Sequence, residues 1–227
     1  MSVAQSNSAA RFIAFEGGEG AGKSTQIEAV ADLLRAAGHE VVCTREPGGT
    51  ALGEAIRGVL MNDYDRPMPA MSELLLVFAA RAAHLAEVIE PALARGAWVL
   101  TDRFTDASYA YQGAARGLGD DAIATLETLV QGERRPDRVL LFDLPVAQGL
   151  ARAGKRGEGN RFDRETLAFH EQVRAAYLAR AGSMPERYRV VDASDDMDGV
   201  RVQIERALAG ARIGKSHEVF FPAAMQP

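Results

Sequence analysis

The chain has little of several features that mark other classes of protein. It contains one cysteine among 227 residues, Cys43, so no internal disulfide can form, and this thiol is expected to pack as a small hydrophobic side chain. No apolar run approaches the roughly 18 residues that a membrane-spanning helix needs. The N-terminus lacks the basic start and apolar stretch of a secretory signal. These absences predict a cytoplasmic protein that does not bind a membrane.

Clustered histidines and excess positive charge are also missing. The four histidines are scattered, without cysteines or carboxylates at the spacing of a zinc site. The formal net charge is −5, which disfavours a nucleic-acid partner because such binding needs a broad positive surface. Any anion that binds is therefore expected to be held locally.

Five short, nearly continuous apolar runs alternate with longer helical patterns. Such runs are typical of strands covered on both faces, joined by right-handed helical crossovers. The strands are predicted at 12–15, 41–44, 98–101, 139–143 and 189–192, and the longest helix at 72–95. The pattern predicts an α/β doubly wound domain with a five-stranded parallel sheet. We expect one domain over 11–212, with flexible tails at 1–10 and 213–227.

A phosphate-binding motif follows the first predicted strand. Residues 17–24 read GGEGAGKS, which satisfies G-x-x-x-x-G-K-[ST]. Glycines let successive N–H groups converge on phosphate oxygens, and the helix that begins near Lys23 points its positive end at them. Lys23 can reach the β- and γ-phosphates, and the Ser24 hydroxyl can bind Mg²⁺. The predicted ATP site of this P-loop consists of Gly17, Gly18, Glu19, Gly20, Ala21, Gly22, Lys23, Ser24 and Thr25.

Two arginines lie at the ends of adjacent predicted strands. TREPGGT at 44–50 places Arg45 after the second strand, and TDRF at 101–104 places Asp102 and Arg103 after the third. Ligands of doubly wound sheets bind beyond the carboxyl ends of the strands, so these arginines are expected to clamp a second anion near the P-loop. The P-loop alone leaves the reaction open. The lack of an N-K-x-D string in the sequence disfavours a GTPase.

Taken in this order, FEGGEGAGKST, TREPGGT, FAAR, DRF and YAYQG resemble the bacterial thymidylate kinases, a family of P-loop nucleoside-monophosphate kinases. The resemblance runs from about Phe12 to Ala209. It implies a homodimer that phosphorylates dTMP to dTDP with ATP and Mg²⁺, for dTTP synthesis. Two alternatives stay open at this point: a P-loop kinase for another nucleotide or deoxynucleoside, and a regulatory P-loop ATPase.

The resemblance also implies roles near the phosphates. Lys23, Glu19 and Asp102 are expected to be catalytic, with Ser24 and Asp102 at the Mg²⁺ ion, directly or through water. Arg45 and Arg103 are expected to bind the dTMP phosphate. Glu19 matches the family carboxylate that faces the sugar 3′-hydroxyl.

For the base, the family stacks thymine on an aromatic side chain of a helix and hydrogen-bonds it from an arginine one turn later. Phe78 and Arg81 match these roles, although in many members the aromatic lies four residues before the arginine, where this chain has Val77. Three further residues are expected in the dTMP site: Ser108 at thymine N3, Tyr111 at the sugar 2′ position and Gln112 on the wall.

Residues 152–164 resemble the mobile lid of the same family. Arg152, Arg156 and Arg161 recur there at roughly helical spacing. Some family members carry an arginine in the P-loop where this chain has Gly20. Since phosphoryl transfer needs charge neutralised on the moving group, Arg156 and Arg161 are predicted to be catalytic and Arg152 to bind ATP.

Overall fold

A computed structural model describes residues 11–155 and 161–208, which contain a five-stranded sheet. All strand pairings are parallel, and the strand order is β2-β3-β1-β4-β5. The strands are β1 (Arg11–Gly17), β2 (Val41–Arg45), β3 (Trp98–Asp102), β4 (Arg138–Asp143) and β5 (Tyr188–Asp192). The predicted α/β fold with a parallel sheet is therefore confirmed. The predicted tails, 1–10 and 213–227, lie outside the described residues.

The segments between the strands are helical. The described α-helices are α1 (Lys23–Ala36), α2 (Ala51–Met61), α3 (Ala70–His84), α4 (Glu90–Ala94), α5 (Thr105–Ser108), α6 (Asp120–Gln131), α7 (Val146–Gly154), α8 (Leu167–Ser183) and α9 (Met197–Leu208). A π-helical turn, Leu85–Ile89, joins α3 to α4, and another, Tyr109–Ala115, follows α5. The predicted helix at 72–95 is thus continuous but changes its winding in the middle, which rotates the side chains that follow.

Two helices, α2 and α8, begin at threonine N-caps. The Thr50 hydroxyl accepts the Gly53 N–H at 2.9 Å, and the Thr166 hydroxyl accepts the Phe169 N–H at 3.2 Å. Each satisfies a backbone donor that the first helical turn leaves unpaired. The first cap fixes where α2 leaves the TREPGGT turn, and the second fixes where α8 begins after the predicted lid.

The sheet is buried on both faces. Ile13 and Phe15 of β1 point into one core, which includes α1 and α9, whereas Phe12 and Ala14 point into the other, which includes α8. Alternation along a strand produces this division. The buried sheet holds the carboxyl ends of its strands at one edge, where polar side chains gather. Within the described residues, no helix is long and apolar enough to cross a membrane.

Candidate active site

The P-loop joins the end of β1 to the start of α1. Gly20 and Gly22 have φ angles of 71° and 81°, a region that favours glycine. A Cβ at Gly20 would overlap the carbonyl oxygen of Gly149, at the start of α7. Glycine at this position therefore lets the loop pack against the helix that leads to the predicted lid, and a larger side chain would require α7 to move.

Lys23 lies beneath this loop. Its Nζ donates to the carbonyl oxygens of Gly17 at 3.2 Å and Gly18 at 3.1 Å. Burial, with a smaller contribution from Arg103, lowers the pKa of the Lys23 ammonium group from its usual 10.5. The amine is thus already among the phosphate-binding glycines, held by acceptors that a phosphate oxygen can replace.

Ser24 and Asp102 meet between the P-loop and β3. The Ser24 hydroxyl donates to Asp102 Oδ2 at 3.2 Å. The other carboxylate oxygen, Oδ1, is buried and has no hydrogen-bond partner among the described residues. This brings together the pair that the sequence predicted, with one oxygen available to a cation.

Arg103 is the centre of the polar network. It adopts φ 70°, in the left-handed region, directly after β3. Its guanidinium donates to Gly17 O at 2.9 Å, to the Tyr177 hydroxyl at 3.2 Å and to Glu19 Oε1 at 2.7 Å, and it lies 4.9 Å from the Tyr111 ring centroid. The arginine therefore links the P-loop to α8 and to the predicted acceptor side.

Glu19 stays ionised in this network. Burial raises its pKa, but Arg103, Lys23 and a 2.9 Å hydrogen bond from the Tyr111 hydroxyl outweigh burial and lower the pKa to about 2. The carboxylate thus accepts hydrogen bonds at any pH at which the protein works. It cannot serve as a proton donor there.

Glu16, in β1, was missed by sequence reasoning. It is fully buried and accepts the Phe104 N–H at 2.7 Å and the Tyr177 hydroxyl at 2.8 Å. Burial, and then the neighbouring Asp106, raises the pKa of Glu16 from 4.5 to about 8, with Arg103 opposing the rise. The sequence does single out Glu16, because this carboxylate directly follows the apolar run at 12–15.

The raised pKa of Glu16 predicts a pH-dependent stability. The folded protein keeps a proton on Glu16 up to about pH 8, whereas the unfolded chain releases it near pH 4.5. The folded state therefore binds more protons in this window, and the free energy of unfolding falls as the pH rises through it. Urea unfolding at pH 5.5 and pH 8 measures this fall.

The Glu16→Gln variant isolates the contribution of this group. Relative to the parent, its free energy of unfolding should rise by at least about 1 kcal/mol between pH 5.5 and pH 8, since one pKa unit corresponds to about 1.4 kcal/mol. An equal difference between variant and parent at the two pH values would show that Glu16 is already ionised at pH 5.5.

A cavity opens beside Arg103 and Glu19. Its wall combines three arginines, a few polar groups and a larger apolar part. It is lined by Glu19, Glu46, Pro47, Arg57, Leu60, Met61, Val77, Arg81, Arg103, Phe104, Ala107, Ser108, Tyr111, Gln112 and Phe162. Concave sites of this composition bind small organic molecules that carry a few polar groups.

Arg57 is a cavity arginine that the sequence motifs did not indicate. It lies on α2, lines the cavity and donates to Pro47 O at 3.0 Å. The Arg45 side chain is 54% exposed and pairs with Glu54, its Nη2 lying 2.9 Å from Oε2. Arg57 and Arg103 therefore line the cavity, whereas Arg45 pairs with Glu54, and the role of Arg45 stays a prediction.

Arg81 lines the same cavity and is held there by hydrogen bonds. Its Nε donates to Glu46 Oε2 at 2.7 Å, and its Nη2 donates to the Ser108 hydroxyl at 3.0 Å. Nη1 is buried without a hydrogen-bond partner within the described part of the chain. The other Glu46 oxygen lies 3.0 Å from His84 Nδ1. The predicted Arg81 and Ser108 are therefore neighbours, with an arginine donor still available.

The neighbouring Phe78 lies deeper than predicted. It is 2% exposed, packs with Leu74, Tyr109 and Ile123, and has the Arg81 guanidinium 4.5 Å from its ring centroid. Within the described chain, the residue of α3 that lines the cavity beside Arg81 is Val77. Contact between Phe78 and a bound base stays an untested prediction.

Two of the predicted lid arginines, Arg152 and Arg161, lie within the described residues and contact different parts of the protein. Arg152 donates to Ala193 O, after β5, at 2.9 Å. Arg161 donates to Leu60 O at 3.0 Å and to the buried Glu73 at 2.8 Å, and Glu73 also accepts from Gln112. Arg161 therefore contacts the wall of the cavity rather than the P-loop. Arg156 lies outside the described residues, and both catalytic assignments remain predictions.

Comparison with known proteins gives one consistent family. The sequence profile of the family described as thymidylate kinase matches residues 15–204. The thymidylate kinase of Pseudomonas putida strain F1 is 57% identical over 199 residues, which cover 88% of this chain and 95% of that protein. The Alcanivorax borkumensis thymidylate kinase is 56% identical over 196 residues, covering 86% and 94%.

A solved structure supports the same relationship. The crystal structure of thymidylate kinase from Ehrlichia chaffeensis superposes with a TM-score of 0.70 at 31% identity, covering 88% of this chain and 98% of that one. The similarity therefore extends over the sheet, the P-loop and the cavity-forming helices together.

Proposed function

The chain belongs to the thymidylate kinase family, and on this premise we propose that it transfers the γ-phosphoryl group of ATP to dTMP. An oxygen of the dTMP phosphate attacks the γ-phosphorus, the bond to the β–γ bridging oxygen breaks, and ADP and dTDP leave. The phosphoryl group passes directly between the two nucleotides, and no covalent phosphoenzyme forms. The observation that carries the proposal is the meeting of a P-loop and an arginine-lined cavity at Glu19 and Arg103.

The donor end is assigned to the P-loop. Lys23 exchanges its contacts with the Gly17 and Gly18 carbonyls for the β- and γ-phosphate oxygens. The transition state of phosphoryl transfer spreads charge over those oxygens, so a fixed ammonium group stabilises it. Arg152, held at the loop after β5, lies at the end of α7 where it supports the nucleotide side of the site.

Mg²⁺ fits the pair formed by Ser24 and Asp102. The buried Asp102 Oδ1 has no partner within the described residues, and these residues include no group of three histidines, cysteines or carboxylates that could hold a metal alone. Mg²⁺ typically uses one or two carboxylates together with substrate phosphates and water. When bound, it neutralises charge on the β- and γ-phosphates.

The phosphate of dTMP is assigned to Arg57 and Arg103. Both line the cavity, and Arg103 extends from the P-loop side, so a phosphate between them faces the donor. Planar guanidinium groups bind phosphate through paired hydrogen bonds. These arginines offset the repulsion between the two substrates and orient the attacking oxygen.

The base and the sugar are assigned to the rest of the wall. Arg81 Nη1 offers a donor to a thymine carbonyl, with Ser108 and Gln112 beside it. Glu19, ionised and held by Tyr111, accepts a hydrogen bond from the sugar 3′-hydroxyl. The Tyr111 ring crowds the 2′ position, which disfavours ribonucleotides.

The homodimer implied by the resemblance and the cytoplasmic location expected from the sequence stay predictions. A homodimer formed through helices is supported by large apolar side chains that α2 and α3 leave exposed, namely Leu52, Val59, Met71 and Leu75.

The proposed function predicts a ranked choice of acceptors. With ATP and Mg²⁺, dTMP should be the best acceptor, dUMP poorer, and CMP and GMP very poor. CMP and GMP lose matched hydrogen bonds to the base, and each loss costs about 1 to 3 kcal/mol, which gives ratios of about 10 to 100. The nucleotide dUMP lacks only the 5-methyl group of thymine, whose burial is worth about 0.8 kcal/mol, a ratio of about 4. A coupled assay of ADP release across these nucleotides, with chromatography of dTDP, measures the ranking.

Two results would contradict the proposal. Equal rates with dTMP, CMP and GMP would indicate a kinase of broader or different specificity. ADP release that does not depend on any acceptor would indicate an ATPase instead.

A further inference from the structure

The base end of the cavity has a wall of mixed chemistry. Arg81, Ser108 and Gln112 supply polar groups, whereas Leu60 and Val77 supply aliphatic surface. Because the aromatic residue of α3, Phe78, packs behind Arg81, the wall beside Val77 offers no aromatic face from that helix. A planar base gains more from packing against an aromatic face than from aliphatic contact of equal area.

Phe162 brings an aromatic ring to this wall from a distant part of the chain. It lies near the C-terminal end of the predicted lid, 152–164, lines the cavity and is 8% exposed. Its ring meets the Tyr111 ring edge-on, with centroids 5.8 Å apart and an interplanar angle of 81°. The Tyr111 hydroxyl donates to Glu19, so that end of the Tyr111 ring faces the P-loop.

The neighbours of Phe162 hold it there. Arg161 donates to Leu60 O at the end of α2 and to Glu73 of α3, and its guanidinium lies 4.5 Å from the Phe162 ring centroid. Two residues later, Arg164 donates to both carboxylate oxygens of Asp63 at 2.6 Å. These contacts join residues about a hundred positions apart in the sequence, and they hold the chain just before and just after Phe162.

We propose that Phe162 is a specificity-determining residue, whose ring packs against the base of the acceptor nucleotide. This inference rests on the proposed function, because it takes the cavity to be the dTMP site.

The test compares Phe162→Leu with a matched control, Phe169→Leu. Both phenylalanines meet the Tyr111 ring edge-on, and both lie within 6 Å of the Arg116 guanidinium. Of the two, Phe162 lines the cavity and Phe169 does not. Aromatic packing is worth about 0.5–1.5 kcal/mol beyond buried area, so Phe162→Leu should raise the KM for dTMP about 3- to 10-fold. The KM for ATP should stay within about 2-fold. Phe169→Leu should leave the KM for dTMP within about 2-fold of the parent.

An acceptor without a base separates packing from general damage. Calorimetry should show that 2-deoxyribose 5-phosphate binds the parent and Phe162→Leu equally, whereas dTMP binds the variant more weakly. Phe162→Tyr, which keeps the ring, should restore the KM for dTMP to within about 2-fold of the parent. If Phe162→Leu does not fold, Phe162→Met replaces it in the same comparisons.

Three outcomes would overturn the inference: an unchanged KM for dTMP in Phe162→Leu, an equal rise in Phe169→Leu, or an equal loss of affinity for the base-free sugar phosphate. All three presuppose a parent protein that makes dTDP. Failure of the parent to phosphorylate dTMP would instead contradict the proposed function, so the two failures are distinguishable.

Discussion

Replacing Lys23 with alanine should leave a folded protein with little turnover. The Lys23 amine contacts backbone carbonyls of the P-loop, and the described core clusters do not depend on its side chain. In the reaction, however, its charge would act on oxygens whose negative charge grows in the transition state. Removal of one such fixed group lowers kcat by about 10²–10³. Single-turnover rates, with circular dichroism and urea unfolding of the same samples, measure both effects.

Arg35 offers a control on the same helix. It lies in the last turn of α1, its side chain is 45% exposed and it pairs with Asp32. Arg35→Ala should keep kcat within about 3-fold of the parent, because exposed charges away from the reacting atoms contribute little. Normal turnover in a folded Lys23→Ala protein would mean that the loop binds nucleotide without acting in catalysis.

The P-loop and the sheet were predictable because their information is local. Eight contiguous residues define the path of the loop, and near-continuous apolar runs define buried parallel strands. The pairing of Ser24 with Asp102 was predictable as well, since the carboxyl ends of neighbouring parallel strands meet at one edge. These predictions required only the order of elements along the chain.

The cavity was less predictable because helix packing determines which face of a helix points inward. Val77 and Phe78 are adjacent, but successive residues of a helix differ in direction by about 100°. Val77 lines the cavity and Phe78 enters a core cluster, a choice that rests on how α3 meets α6. Arg57 was missed for the same reason: on α2 it reads as an ordinary surface arginine until α2 is placed against the cavity.

The contact of Arg161 with Leu60 and Glu73 depends on still longer connections. Its roughly helical spacing relative to Arg152 and Arg156, in a segment that resembles the family lid, predicted a catalytic role, which stays a prediction. In the structure, Arg161 donates to Leu60 O of α2 and pairs with the buried Glu73 of α3, which also pairs with Arg116. Periodicity within a short irregular segment carries no information about such a distant partner.

Replacing Arg103 with alanine should cause the largest loss on the acceptor side. Truncation of one member of a fully buried, hydrogen-bonded charge pair costs about 2–5 kcal/mol. The Arg103–Glu19 pair is partly buried, with 15% and 23% of the side chains exposed, so the lower part of this range applies and kcat/KM for dTMP should fall by about 10². Two effects contribute: the dTMP phosphate loses a guanidinium, and the Glu19 carboxylate loses the strongest of the groups that hold its pKa at about 2. Arg103→Lys should recover little, since an ammonium cannot contact Gly17 O, Tyr177 and Glu19 at once.

Arg57 and Arg45 extend this comparison into a test of the site's geometry. Arg57→Ala should raise the KM for dTMP by about 10-fold or more, the scale of one charge-assisted hydrogen bond to phosphate. Arg45→Ala should change that KM by less than about 3-fold, because the side chain is half exposed and already paired with Glu54 on the surface. Steady-state kinetics with dTMP varied at saturating ATP gives the KM for dTMP and kcat/KM of the Arg103, Arg57 and Arg45 variants. A loss in Arg45→Ala as large as that in Arg57→Ala would show that the TREPGGT arginine turns away from Glu54 to bind the phosphate, as the sequence pattern alone had predicted.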